Sequence, residues 1–278
     1  MKINAYAKIN LALNVLGIRP DGYHEMDMLM QHVSLCDTLE LVHAEQDEVV
    51  LECDDPELAT GRNLVLKAAG ALNDHCGTRH GARIRLIKRI PIKAGLGGGS
   101  ADCAATLRAL NRLWKLNLPQ AELRKIGAQL GADVSFCMSG RAARVQGLGE
   151  RVQRIVLPGG VPIVIYQPGH GLSTPSIFRA WDEEREHTAP SDIPQCIDAL
   201  MQSDLIALSR SATNMLTSCA AHALPEIADA ITLLRTLGAE FAAMSGSGSA
   251  VFGAFSRREM AKAAVQTIGS GAILCETR

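Results

Sequence analysis

An α+β chain in two domains is what this sequence predicts, on three observations. Apolar residues alternate at a period of two from the first residues onward, and residues 101–116 carry apolar side chains at helical spacing behind a glycine-rich loop. A Gly/Pro cluster, Leu157-Pro158-Gly159-Gly160-Val161-Pro162, then precedes the β-branched run Ile163-Val164-Ile165-Tyr166. The domain boundary is placed there, giving residues 1–158 and 159–278.

Element by element, residues 2–16 form one long strand or two short ones. Ile3, Ala5, Ala7, Ile9 and then Leu11, Leu13, Val15 share a face, and Lys8 and Asn10 turn away from it. Residues 17–22 are a turn cluster; 28–33, 38–42 and 49–53 are further strands. An amphipathic helix spans 63–72, a strand 84–88, helices 101–116 and 121–130, and a returning hairpin 142–145 with 152–156. Past the linker come helices near 176–186, 193–201 and 225–237, strands 241–245 and 250–255, and a closing helix and short strand. That alternation suits a small α/β sandwich on an antiparallel sheet.

The 278 residues are 47% hydrophobic and 21% charged, an ordinary globular composition. A formal net charge of -1 supplies no basic field for nucleic acid, and 4% aromatic residues leave few stacking platforms, so no nucleic-acid partner is expected. Eight scattered cysteines include no C-x-x-C pair and read as buried thiols in a reducing compartment. The opening Met1-Lys2-Ile3-Asn4-Ala5-Tyr6 carries no export signal, and no apolar run approaches the roughly 18 to 20 residues that span a bilayer, so a cytoplasmic location without membrane association is expected.

The loop Pro91-Ile92-Lys93-Ala94-Gly95-Leu96-Gly97-Gly98-Gly99-Ser100-Ala101 is the most informative segment. Glycines let the backbone adopt positive φ and approach an anion closely, and the helix that follows adds unpaired N–H groups and the positive end of its dipole. The spacing is neither G-x-x-x-x-G-K-[ST] nor G-x-G-x-x-G, since Ser100 stands where the third glycine would fall. A Walker ATPase and a nicotinamide enzyme are thereby disfavoured. A second glycine loop, Ser245-Gly246-Ser247-Gly248, lies between two strand-like runs; alone it reads equally as a hairpin turn. Lys8, between Ala7 and Ile9, either snorkels outward, the default, or meets an anion. Asp133, among small and apolar residues, is a helix-end cap or turn residue unless a partner holds it. Tyr23 and His24, in Asp21-Gly22-Tyr23-His24, form a packed turn or a recognition pair.

Taken together, Ala7-Lys8-Ile9-Asn10-Leu11, Arg19-Pro20-Asp21-Gly22-Tyr23-His24, Gly95 to Ser100, Leu130-Gly131-Ala132-Asp133-Val134 and Ser245 to Gly248 resemble the GHMP small-molecule kinases over almost the whole chain. The resemblance implies an N-terminal domain with a left-handed βαβ unit, a ferredoxin-like C-terminal domain, and an active site between them. The A-K-I-N-L and D-G-Y-H strings resemble members acting on CDP-methylerythritol, which implies ATP-dependent phosphorylation of its 2-hydroxyl in the non-mevalonate isoprenoid route. By the same likeness Asp133 accepts or orients the hydroxyl proton, and Lys8 keeps Asp133 ionised and steadies the nucleophilic oxygen. Residues 91–101 wrap the ATP phosphates, Asn63 contacts adenine, and Lys88 lies nearby. Asn10, Tyr23, His24, Thr174, Pro175 and Phe178 bind the substrate, with Phe178 opposing an aromatic ring at cytosine. Ser245, Gly246, Ser247 and Gly248 close over its diphosphate. Mg2+ is expected on phosphate oxygens, with Ser100 a candidate ligand, and the chain is expected to be a monomer or weak homodimer.

Against the family pattern, Lys93 stands where small residues are usual, Ala101 where a second serine is common, and Ser135 where proline is common. The competing expectations are a GHMP kinase of the mevalonate or homoserine type, and a non-catalytic nucleotide-binding regulatory module on the same fold.

Overall fold

The structure, a computed structural model, describes residues 1–55, 58–184 and 188–278. Packing sorts the chain into two compact units that interleave along it: residues 1–7, 35–90 and 97–140 form the first, and residues 8–34, 91–96 and 141–278 the second. Two long strands, β1 (Lys2–Ile18) and β2 (His24–His43), contribute residues to both.

In the first unit the later half of β2 runs antiparallel to β4 (Ala82–Ile87), Thr38 opposite Ile87. β3 (Val49–Cys53) pairs with β4 in parallel, Val49 opposite Ala82, and α1 (Leu64–Cys76) makes the crossover that a parallel pair needs. Asn63 starts α1 as its N-cap, the side-chain oxygen accepting from Val65 N at 2.9 Å, and Gly77 ends it at φ 64. Val65, Ala68, Ala69 and Leu72 recur at three- and four-residue spacing, so one stripe of α1 is buried. α2 (Gly98–Leu113), α3 (Gln120–Leu130) and the short α4 (Val134–Cys137) complete the unit.

In the second unit the earlier half of β2 pairs with β5 (Ala142–Gly147), and β5 turns back into β6 (Arg151–Ile155). A separate antiparallel sheet has the order β10-β7-β9-β8, with β7 at Pro162–Tyr166, β8 at Phe241–Met244, β9 at Val251–Ala254 and β10 at Ala272–Glu276. Helices α5 (Thr174–Glu183), α6 (Ile193–Met201), α7 (Leu205–Ser211), α8 (Thr217–Ala223) and α9 (Glu226–Thr236) connect β7 to β8, and α10 (Arg258–Ile268) connects β9 to β10. A β-helix-β-β-helix-β path in the order 4-1-3-2 is the ferredoxin-like arrangement. Its core is the β-branched run Ile163, Val164 and Ile165, with Phe252 opposite, all fully buried.

Several elements differ from the sequence reading for local reasons. The strands expected at 28–33 and 38–42 are one, because Ser34-Leu35-Cys36-Asp37 contains neither glycine nor proline to turn the chain. α2 starts at Gly98 rather than Ala101: first-turn residues need no intrahelical donor bond, so glycines are tolerated there. α7 and α8, each of 7 residues, are too short for a periodic signal. α5 runs Thr174–Glu183, and the expected end near Glu186 lies outside the described residues. Among the described residues no helix is long and apolar enough to cross a membrane.

Candidate active site

The first glycine loop has the geometry of an anion cradle. Gly95 and Gly97 sit at φ 75 and φ 67, in the left-handed region that a side chain resists. The first helical bond of α2 runs from Ala101 N to Gly97 O at 2.8 Å, so the amides of Gly98, Gly99 and Ser100 precede it and have no partner within the helix. Lys93 also takes a positive φ of 53, with an exposed side chain, next to Ile92, which is exposed, and Ala94, which is buried. The other loop members, Pro91 and Leu96, carry the chain in and through, Leu96 O accepting from Lys8 N at 3.0 Å.

Behind the helix start, Lys88 is held in an ion cluster. Its Nζ donates to Asp102 Oδ2 at 2.8 Å and to Asp37 Oδ2, and Asp37 Oδ1 accepts from Arg89 N at 2.5 Å and Ile90 N at 2.8 Å. Burial pulls the Lys88 ammonium down, but the Asp102 and Asp37 carboxylates outweigh it and hold it above the ordinary lysine range. Burial pushes the Asp102 carboxyl up to about 7, against the pull of Lys88 and with the charge of Asp37 adding to it. Asp102 Oδ1 is buried with no hydrogen-bond partner among the described residues. The ammonium expected near ATP is thus engaged by two carboxylates, and lies 3.4 Å from where a Cβ on Gly98 would sit. Sequence reasoning missed both acids; the available signal was an aspartate in the otherwise small and apolar run Ala101-Asp102-Cys103-Ala104-Ala105. Asn63, expected at adenine, spends its side chain on the α1 cap and on Leu58 O at 2.8 Å.

In the second unit the two glycine loops meet. Ser245 Oγ donates to Gly95 O at 2.9 Å and lies 3.3 Å from Asn10 N, for which it accepts; Ala250 N donates to Ala94 O at 3.1 Å. Gly246, at φ 58, would place a Cβ 3.0 Å from Gly95 O and 3.2 Å from Lys8 Nζ. Lys8 is therefore not the outward-snorkelling residue that alternation suggests. It is 3% exposed, with its Nζ donating to Asn10 Oδ1 at 2.5 Å, because the second glycine loop covers that face of β1. Asn214, which the sequence did not single out, donates from Nδ2 to Met244 O at 2.9 Å and Gly246 O at 2.8 Å and fixes the loop. Thr174 Oγ1 and Ser247 Oγ share a hydrogen bond of 2.7 Å, and Gly248 N closes the turn on Ser245 O at 3.0 Å.

A third group surrounds His24. Its ring stacks on Phe178 at 4.5 Å between centroids, meets the edge of Trp181 at 5.7 Å, and its Nε2 lies 2.7 Å from Asp182 Oδ1. Tyr23 is 65% exposed, so the ring that Phe178 faces is that of His24. Pro175 stands in the first turn of α5 and presets its backbone. Phe178, Trp181 and Asp182 fall at i, i+3 and i+4 on α5, one helical face, a spacing that could have flagged the last two. Asp133 heads α4 in the first unit with helical backbone; its side chain makes no capping bond, so the cap reading is set aside. Among the described residues no group of three or more His, Cys, Asp or Glu side chains is placed to hold a metal ion.

Comparison with known proteins carries the geometry to a family. Residues 63–141 match the GHMP kinases N terminal domain and residues 196–271 the GHMP kinases C terminal domain. A 4-diphosphocytidyl-2-C-methyl-D-erythritol kinase of Geobacillus thermodenitrificans is 40% identical over 255 residues, 91% of this chain and 87% of that one. The chain belongs to the GHMP kinases. A kinase of the same name from Bacillus subtilis is 39% identical over 251 residues, covering 90% of this chain and 86% of its own length. A crystal structure of 4-(cytidine 5'-diphospho)-2C-methyl-D-erythritol kinase superimposes on this GHMP kinase with a TM-score of 0.86 at 34% identity, covering 100% of this chain and 99% of that one. A homoserine kinase from Cytophaga hutchinsonii, 19% identical with a TM-score of 0.76, shares the fold.

Proposed function

We propose that this GHMP kinase transfers the γ-phosphoryl group of ATP to the 2-hydroxyl of 4-diphosphocytidyl-2-C-methyl-D-erythritol, releasing ADP and the 2-phosphate, as a cytoplasmic step of the non-mevalonate isoprenoid route. The observation that carries the reading is Lys8, buried against Asn10 and beneath the second glycine loop, in a chain whose relatives of that name match about nine-tenths of its length. A buried ammonium beside a loop built for phosphate serves charge neutralisation, and phosphoryl transfer depends on positioning and neutralisation more than on a strong base.

In this reading the amides of Gly98, Gly99 and Ser100 receive ATP phosphate oxygens at the start of α2, and the rest of residues 91–101 shapes the loop around them. Lys8 steadies the attacking oxygen, and Asp133 orients or accepts its proton. His24, Phe178 and Tyr23 receive the cytosine, while Asn10, Thr174 and the 245–248 loop hold the polyol and diphosphate. Magnesium would travel with ATP: among the described residues no group of three or more His, Cys, Asp or Glu side chains is placed to hold it, so phosphate, water and the Ser100 hydroxyl would supply its ligands.

Coupled ADP-release assays with CDP-methylerythritol, mevalonate and homoserine test the assignment; turnover with either of the last two in preference to the first overturns it. Asp133→Asn is expected to lower kcat by about a hundredfold to ten-thousandfold, with ATP affinity by calorimetry retained. A non-catalytic nucleotide-binding module would tolerate that substitution.

A further inference from the structure

The His24 imidazole is held at one nitrogen only. Nε2 lies 2.7 Å from Asp182 Oδ1, whereas no hydrogen bond of Nδ1 is found among the described residues. The ring cannot swing away easily, since Phe178 stacks on one face at 4.5 Å and Trp181 meets it edge-on at 5.7 Å. Only 11% of the His24 side chain is exposed, against 31% of Asp182.

A carboxylate only accepts, so the hydrogen bond to Asp182 requires the proton on Nε2. In the neutral ring that leaves Nδ1 with a lone pair and no hydrogen. We propose that Asp182 is a positioning residue for base specificity: it fixes the His24 tautomer so that Nδ1 accepts from the exocyclic amino group of cytosine and repels the carbonyl oxygen that uracil carries at the same place. This rests on the proposed reading that His24 meets the base. It goes beyond that reading by assigning the discrimination to a residue on α5 that does not itself touch the base. A site built to hydrogen-bond one group rejects the analogue lacking it far better than an apolar site does, because the mismatch leaves a buried polar pair unmade.

The test compares kcat/KM for CDP-methylerythritol and the same alcohol carried on uridine diphosphate, in the intact enzyme and in Asp182→Asn and Asp182→Glu. An asparagine can present its amide N–H to Nε2, which moves the ring proton to Nδ1 and exchanges acceptor for donor. The intact enzyme is expected to prefer the cytidine substrate by at least about tenfold, a single mismatched hydrogen bond's worth. Asp182→Asn should erase or invert that ratio, mostly through KM, and Asp182→Glu should restore it. Nitrogen-15 NMR of the imidazoles gives a readout that a merely structural role would not move: the Nε2–H form in the intact protein and the Nδ1–H form in Asp182→Asn. An intact enzyme that prefers cytidine while Asp182→Asn moves the imidazole to the Nδ1–H form yet keeps the ratio overturns the role of Asp182 alone. Equal use of both bases by the intact enzyme, or failure to use either, overturns that role together with the functional reading.

Discussion

The two glycine loops look alike in sequence and do different work. The first, with Gly95 and Gly97 at positive φ, delivers its chain into a helix of 16 residues, so its amides point out of a helix end. The second, with Gly246 and Gly248 at positive φ, joins β8 to β9 and returns the chain at once. Asn214 ties down Met244 O at the end of β8 and Gly246 O in the loop, and the loop's Ser245 hydroxyl braces Gly95 O. Glycine marks where a backbone must come close. Which element follows decides whether the close approach offers donors to an anion or covers a neighbouring side chain, here Lys8.

Substitutions can break that division of labour. Gly95→Ala should have the largest effect, because its Cβ would collide with the Ser245 carbonyl while the backbone stays at φ 75. We expect a loss of about 3 kcal/mol in denaturant unfolding, with ATP binding weakened alongside. Ser245→Ala comes next: it strips a fully buried hydroxyl from Gly95 O and Asn10 N. The expected cost is about 2 kcal/mol, visible as a lower Tm; an unchanged Tm would mean that the loops are not braced through this side chain. Gly246→Ala is milder for the fold but crowds Lys8 Nζ, which a new Cβ would approach to 3.2 Å. Turnover should fall roughly tenfold with ATP affinity retained, the reverse of a first-loop defect.

The smallest expected effect separates the loops by pH. The helix behind the first loop carries Asp102, whose carboxyl is pushed up to about 7 by burial, with Asp37 adding to the rise against the pull of Lys88. A carboxyl raised in the folded state holds a proton there that the unfolded chain has already released. Its contribution to stability is therefore complete below the unfolded value near 3.8 and is lost as the pH rises through about 7. The Tm should fall from about pH 4 to about pH 7 and level off above, and Asp102→Asn should flatten that slope; an equal slope in the variant would assign it to other groups.

Much of the candidate site was legible in the sequence. Glycine-rich spacing, the D-G-Y-H string and the isolated charges at Lys8 and Asp133 are local features, and each sits in a segment that the alternation or the helical period located. Partners were harder to read. Asp37 lies 51 residues from Lys88, Asp182 lies 158 from His24, and Asn214 lies 32 from Gly246, so no local pattern links them. Lys8 shows the limit most clearly: strand alternation sends it away from its apolar neighbours, and only a turn more than 230 residues later makes that second face an interior one.

By itself the sequence determined where most strands and the longer helices fall and where glycines let the backbone take positive φ, and it marked candidate side chains for the chemistry, because those properties depend on a few neighbouring residues. Only the tertiary structure decided that Lys8 is enclosed, that Lys88 is shared by two carboxylates, that His24 is stacked and held by Asp182, and that the packing units interleave along the chain. Burial and charge pairing are set by residues that folding brings together from distant parts of the chain, and local sequence does not encode those distances.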